Sequence, residues 1–268
     1  MRKLRDMRLS QLFTALAIGL MVNAITINDA RAQDPKYTRM LEDMVDGKYE
    51  RVLYRAINFT ENDKTKKHPE PYYYMAAAYL RIYLSDDPEL QESYPKALKE
   101  ALKYATKFVK KDKEFEYVVD QGEFFEELRV ATIAQADTEM DAEKYTRAKS
   151  LYNYLVKLDV KDPSAYMMRG FSNYQARSKR DAYVDFDIAC ELVGTITGRT
   201  KASEETGHYR EEPLTDSQKN LLKTSIISAA EQLDADGERA RAVELLEYGL
   251  GLFEADRSFM VTYSSIAG

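Results

Sequence analysis

From Pro163 to Leu192, small and apolar residues return at helical spacing. Tyr166 to Ala176 makes one run and Asp181 to Leu192 a second, separated by the polar Arg177-Ser178-Lys179-Arg180. In the second run Ala182, Phe186 and Ala189 fall at i, i+4 and i+7, and so on one face. In the first, Gly170 stands where a partner helix would press closest. The pattern recurs along the chain. Ala230 and Ala242 stand twelve apart, as Gly170 and Ala182 do, with Leu246 and Gly249 continuing the second face and Gly237 at the turn. Ala136 and Ala148 repeat that interval, followed by Tyr152 and Leu155, with Asp162-Pro163 closing the unit. Near the start Gly47-Lys48-Tyr49 reads as a turn, Val52, Ala56 and Phe59 as a second face, and Met40 takes the small residue's place. Ala76 and Tyr79 open another unit, whose second helix carries Tyr94, Ala97, Ala101 and Tyr104. Its turn, through Ser85-Asp86-Asp87-Pro88, is nine residues longer. Strand-like alternation is nearly absent and glycine and proline are sparse, which predicts an all-α chain.

The opening stretch resembles the tetratricopeptide repeat, whose first helix carries a bulky aromatic and then a small residue, and whose second carries A-x3-F. Tyr166, Gly170, Ala182 and Phe186 fill those places, and Ala189 follows as the family expects. The family's leucine is Arg169 here and its second tyrosine is Asn173, so the copy is degenerate. The resemblance implies a right-handed superhelical stack of about five helix-turn-helix units, at about 36–60, 70–111, 126–160, 163–192 and 218–255, with 194–217 as an inserted loop. Helices of this length are marginal alone in water, so stacking must hold them. It also implies a concave surface lined by first helices. Projected onto this chain, that surface comprises Tyr37, Leu41, Tyr73, Ala77, Arg81, Ile133, Asp137, Met140, Met167, Phe171, Tyr174, Ile227 and Glu231. Aromatic and methionine side chains suit a polypeptide presenting apolar groups; packing against neighbouring units is the competing use. Members that grip a C-terminal carboxylate use a lysine and asparagine pair on this face, and no unit here has it.

Ahead of the repeats, Met1 to Arg8 is basic with one acid, Leu12 to Val22 is apolar, and Ala30-Arg31-Ala32 follows. This predicts a secretory signal over 1–32, cut after Ala32, with Val22-Asn23-Ala24 as a second exit. The apolar run falls short of the ~20 residues needed to cross a bilayer; an uncleaved anchor extending through Ile27 is the alternative. No cysteine near the exit offers a lipoprotein anchor. The expected product, residues 33–268, is a repeat domain with no integral membrane span, periplasmic or otherwise exported.

Removing 1–32 leaves 34 basic and 43 acidic residues, a formal charge of −9. Such a chain is poorly suited to a phosphate backbone, which argues against nucleic acid as partner. The single Cys190 allows no internal disulfide and sits where a small buried residue belongs. One local inversion of charge stands out: Lys96, Lys99, Lys103, Lys107 and Lys110 recur at three and four residues along one side of a helix. It reads as a solvated face or as a contact for an anionic partner or lipid headgroups.

Little points to catalysis. His68 and His208 belong to no metal-ligand pattern, and no G-x-S-x-G or H-E-x-x-H occurs. Gly194-x3-Gly198-Arg199-Thr200 misses the phosphate-loop spacing by one residue and has no strand before it. The expectation is a non-catalytic adaptor of the bacterial cell envelope, without metal or cofactor. It would bind a protein or peptide within a secretion, assembly or outer-membrane maintenance complex. Alternatives are a periplasmic carrier or chaperone for exported polypeptides and, more remotely, an envelope enzyme acting on glycans.

Overall fold

The computed structural model describes residues 36–113, 117–118, 121–201, 210 and 212–268. The predicted signal and both exits lie outside them. Backbone contacts divide the chain into units 1–39 and 40–268, and the helical stack belongs to the second.

Every regular element among the described residues is a helix. In chain order they are α1 (Thr38–Val45), α2 (Tyr49–Glu61), α3 (Glu70–Leu84), α4 (Pro88–Ser93), α5 (Ala97–Lys111), α6 (Gly122–Asp141), α7 (Tyr145–Leu158), α8 (Pro163–Gln175), α9 (Lys179–Ile196), α10 (Asp216–Ala235), α11 (Arg239–Phe253) and α12 (Arg257–Ala267). Local chemistry sets several starts. Asp162 accepts from Ser164 N ahead of α8, with Pro163 at the first helical position where no N–H is needed. Thr215 and Gln218 close a reciprocal capping box on α10. Asp256 accepts from Ser258 N and Phe259 N at the start of α12.

Four turns share one geometry. Gly47, Glu143, Arg177 and Gly237 all have positive φ, from 57° to 82°. In each, the following residue's N–H reaches back five residues: Lys48 to Asp43 O at 2.8 Å, Lys144 to Glu139 O at 2.8 Å, Ser178 to Asn173 O at 2.9 Å and Glu238 to Leu233 O at 2.8 Å. The positive-φ residue itself donates to the carbonyl three before it, at 2.9–3.1 Å. This is the Schellman ending, which satisfies helix-end carbonyls and reverses the chain. Glycine supplies the left-handed backbone at two turns; Glu143 and Arg177 adopt it at a steric cost.

Seven residues before each turn sits Met40, Ala136, Gly170 or Ala230, and five after it Val52, Ala148, Ala182 or Ala242; all eight are buried. Gly170 shows why small residues are needed there. A Cβ added to it would lie 2.8 Å from two ring carbons of Phe186 and 3.0 Å from Asp185 Cβ. Helices then stack in series. α3 packs on α5, α6 on α7, α8 on α9 and α10 on α11. Between successive pairs α2 packs on α3, α7 on α8 and α11 on α12, while α5–α7, α8–α10 and α9–α11 bridge like positions. Buried side chains form one cluster around α3, α5 and α6 and another from α6 to α12, with Leu151 packed against both. The result is an all-α stack of paired helices, consistent with a helical repeat.

Three boundaries differ from the sequence reading. The long turn of the second unit holds α4, capped by Asp87 with Pro88 first. The inserted loop does not begin at 194: α9 runs to Ile196 and buries Gly194. Last, the units do not end at 255, because α12 buries Phe259, Thr262 and Ile266. Phe259 reaches Gly249, where a Cβ would approach its ring to 2.6 Å.

Candidate partner-binding surface

The first helices of the units bring the predicted groove residues into three environments. Ala77, Met167 and Tyr174 are buried, with Met167 only 1% exposed, so their side chains serve packing; Tyr37, in the first contact unit, is buried as well. Tyr73, Arg81, Ile133, Met140, Phe171 and Ile227 are half-buried. Leu41, Asp137 and Glu231 are exposed. Half-burial at the second group has a common cause: Tyr73 leans on the α3–α5 cluster, and Ile133, Met140, Phe171 and Ile227 lean on the larger one, each leaving an edge to solvent. Tyr73 meets Phe108 and Phe124 at centroid distances of 5.5 and 5.3 Å, and burial pushes its phenol pKa up despite Arg81 nearby. Val45, 70% exposed at the end of α1, and Val130, on α6, are open apolar positions on first helices that the sequence projection passed over. They lie one turn from Leu41 and Ile133, a spacing that could have found them.

Polar ties between elements hold this surface. Arg169 and Asn173, the two departures from the resemblance, both turn to Asp185 on α9. Arg169 donates to its two carboxylate oxygens at 3.0 and 2.6 Å and to Asn153 at 3.0 Å; Asn173 donates at 3.1 Å. The buried Asp185 carboxylate thus ties α9 to α8. Deeper still, Arg129 on α6 pairs with the fully buried Asp162 and donates to Ser164 Oγ at 2.6 Å and Ser217 Oγ at 3.0 Å, linking three successive units. At the turns of the last two, Tyr183 and Lys179 donate to Glu238, Lys179 at 2.6 Å, while the Tyr174 hydroxyl lies 2.8 Å from Asp236 Oδ2 and 3.1 Å from Glu238 Oε1 and donates to that carboxylate pair. Those hydrogen bonds, led by Lys179, hold the Glu238 carboxyl below its usual range. Burial and Glu238 push the Tyr183 phenol up to about 12.

The lysines of α5 form a solvent-facing row. Lys96, Lys99, Lys107 and Lys110 are exposed, and Lys103 pairs with Glu100 at 2.6 Å. Of the inserted segment, 202–209 and 211 lie outside the described residues. Its flanks are pinned: Thr200 N donates to Gly194 O at 3.0 Å, Leu214 is buried in the core, and the buried Arg210 donates to Asp159 Oδ2 at 3.0 Å, Lys161 O at 3.1 Å and Glu212 O at 2.9 Å. Nothing in the composition of 194–217 marked Arg210 as buried.

Neither a known family, a curated protein nor a solved structure matches the chain. Function must therefore be read from these residues. Cys190 is buried between helices, which raises its thiol pKa far from the thiolate range. Among the described residues no group of three or more His, Cys, Asp or Glu side chains could hold a metal ion, and no helix is long and apolar enough to cross a membrane.

Proposed function

We propose that this chain is a non-catalytic interaction scaffold built from tetratricopeptide-like repeats in a right-handed superhelix, with the partner polypeptide held along the first helices. One observation carries the family reading. The same Schellman turn recurs at one register in four units, and Glu143 and Arg177 stand 34 residues apart, the period of that repeat. Support for a polypeptide ligand comes from the half-buried Tyr73, Ile133, Met140, Phe171 and Ile227 and the exposed Leu41, all on first helices. Such edges give a partner apolar area without an exposed core. Arg81 and Glu127, paired at 2.5 Å between α3 and α6, would supply polar rim contacts.

The proposed setting is the bacterial cell envelope, within a secretion, assembly or outer-membrane maintenance complex, a reading supported by the export signal expected at 1–32. Photo-crosslinking from positions 41, 133 and 171 in intact cells tests both parts. One partner captured in stoichiometric amount at all three positions supports the adaptor. A spread of unfolded exported clients favours a carrier, and no crosslink above that from exposed Lys64 removes the groove from the proposal.

A further inference from the structure

Lys96, at the N-cap of α5, and Lys99, Lys103, Lys107 and Lys110 within it fall within an arc of about 80° at 3.6 residues per turn, and the row from Lys96 to Lys110 is about 21 Å long at 1.5 Å per residue. Only Glu100 answers them, through Lys103; no salt bridge joins Lys96, Lys99, Lys107 or Lys110 to a described residue. Lys103 and Lys107 are held together rather than splayed. Their ammonium groups lie 4.8 and 4.9 Å from the centroid of the same Tyr104 ring, which is stacked on Tyr79 at 5.9 Å with the planes 6° apart. The ring's negative face attracts both cations; Glu100 neutralises Lys103, and Lys107 is left without a carboxylate at the middle of the row. In a chain of net charge −6 this is a concentrated patch of the opposite sign.

We propose that the α5 row is a second docking surface, and that it receives an acidic α-helix of a partner protein. Steps of three and four residues give rises of about 4.5 and 6 Å, the same intervals at which carboxylates at i, i+3 and i+4 recur along a helix lying alongside. A lipid surface fits less well, because no large apolar side chain of α5 is exposed to enter the acyl boundary. α5 is the second helix of its unit, whereas every groove candidate lies on or just ahead of a first helix. The two surfaces can therefore be occupied independently.

Fluorescence anisotropy on the full chain tests this, with a labelled helical peptide carrying glutamates at those intervals. The comparison peptide has the same composition with its glutamates spread around the helix. The in-register peptide should bind, and weaken at least about tenfold between ~50 and ~500 mM salt as screening grows. Combining Lys99→Glu, Lys107→Glu and Lys110→Glu should weaken it at least about tenfold again. The same number of reversals at exposed Lys64, Lys67 and Lys219 should leave it within about twofold. Glutamine at the three α5 sites gives an intermediate loss and a second variant, with circular dichroism confirming the fold of each. Equal binding of the two peptides, equal loss in the control reversals, or no binding would overturn the proposal. Tighter binding to phosphatidylglycerol vesicles than to the peptide would overturn it in favour of lipid.

Discussion

Replacing Gly170 by alanine sets helix propensity against packing, and the two predict opposite signs. In a helix interior the change should stabilise by about 1 kcal/mol, because glycine gives up more backbone freedom on folding. Here the new methyl carbon would sit 2.8 Å from Phe186 Cδ1 and Cε1 and 3.0 Å from Asp185 Cβ. The Phe186 ring is fully buried among the side chains of the larger core cluster, so moving it disturbs its neighbours. Nor can α9 shift freely, since Asp185 is held by Arg169 and Asn173. Overpacking of this kind costs about 1–3 kcal/mol. The net expectation is a loss of about 1 kcal/mol for Gly170→Ala and about 3 kcal/mol for Gly170→Leu. Urea unfolding followed by far-UV circular dichroism reads both, provided the slope is unchanged. Gly122→Ala, at the start of α6 where a Cβ meets nothing within 4 Å, is the control and should be neutral or slightly stabilising. Phe186→Leu in the Gly170→Ala background should recover part of the loss. A stabilised Gly170→Ala protein would mean that α8 and α9 do not meet at this residue.

Other consequences follow from the same contacts. Phe186→Ala should cost about 3–5 kcal/mol in urea unfolding through the cavity it leaves. Arg129→Ala should cost about 3–5 kcal/mol by leaving the buried Asp162 carboxylate unpaired, and Arg129→Met with Asp162→Asn distinctly less. Glu143→Gly and Arg177→Gly relieve left-handed backbone and should each raise stability by about 0.5–1 kcal/mol; a loss at both would mean the turns are not of this type. Because Glu238 is held below its ordinary value of 4.5, its contribution is present above that pH and lost as pH falls through the folded value. Glu238→Gln should flatten the acid limb of the urea midpoint against pH, and an unchanged limb would contradict the hydrogen-bond assignment.

Much of the stack was legible because it rests on residue size. Met40, Ala136, Gly170 and Ala230, with their partners five residues past each turn, show in the sequence as an interval, and the structure buries every one. Gly47 and Gly237 announced their turns, and the polar run Arg177 to Arg180 announced a third; Glu143 did not, since a charged residue with positive φ leaves no compositional mark of its own. Arg169 and Asn173 looked like decay of the pattern, yet they are a different solution to the same contact, readable only once Asp185 lies opposite them. Distance in sequence hid Arg129, Asp162 and Ser217 in the same way. The candidate groove was legible as a register but not as a degree of exposure. Whether a first-helix residue such as Met167 or Phe171 keeps an edge open depends on the next unit's side chains, which no local spacing reveals. α12 was missed because its buried set, Phe259, Thr262 and Ile266, has no paired helix to repeat an interval against.

Hydrogen exchange across the whole chain, with and without Leu246→Ala in α11, tests the stack most directly. If each pair of helices is held mainly by its neighbours, protection should fall most in α10 to α12, less in α8 and α9, and little in α3 and α5. An equal loss of protection from α3 to α12 would instead show one indivisible core and contradict the account.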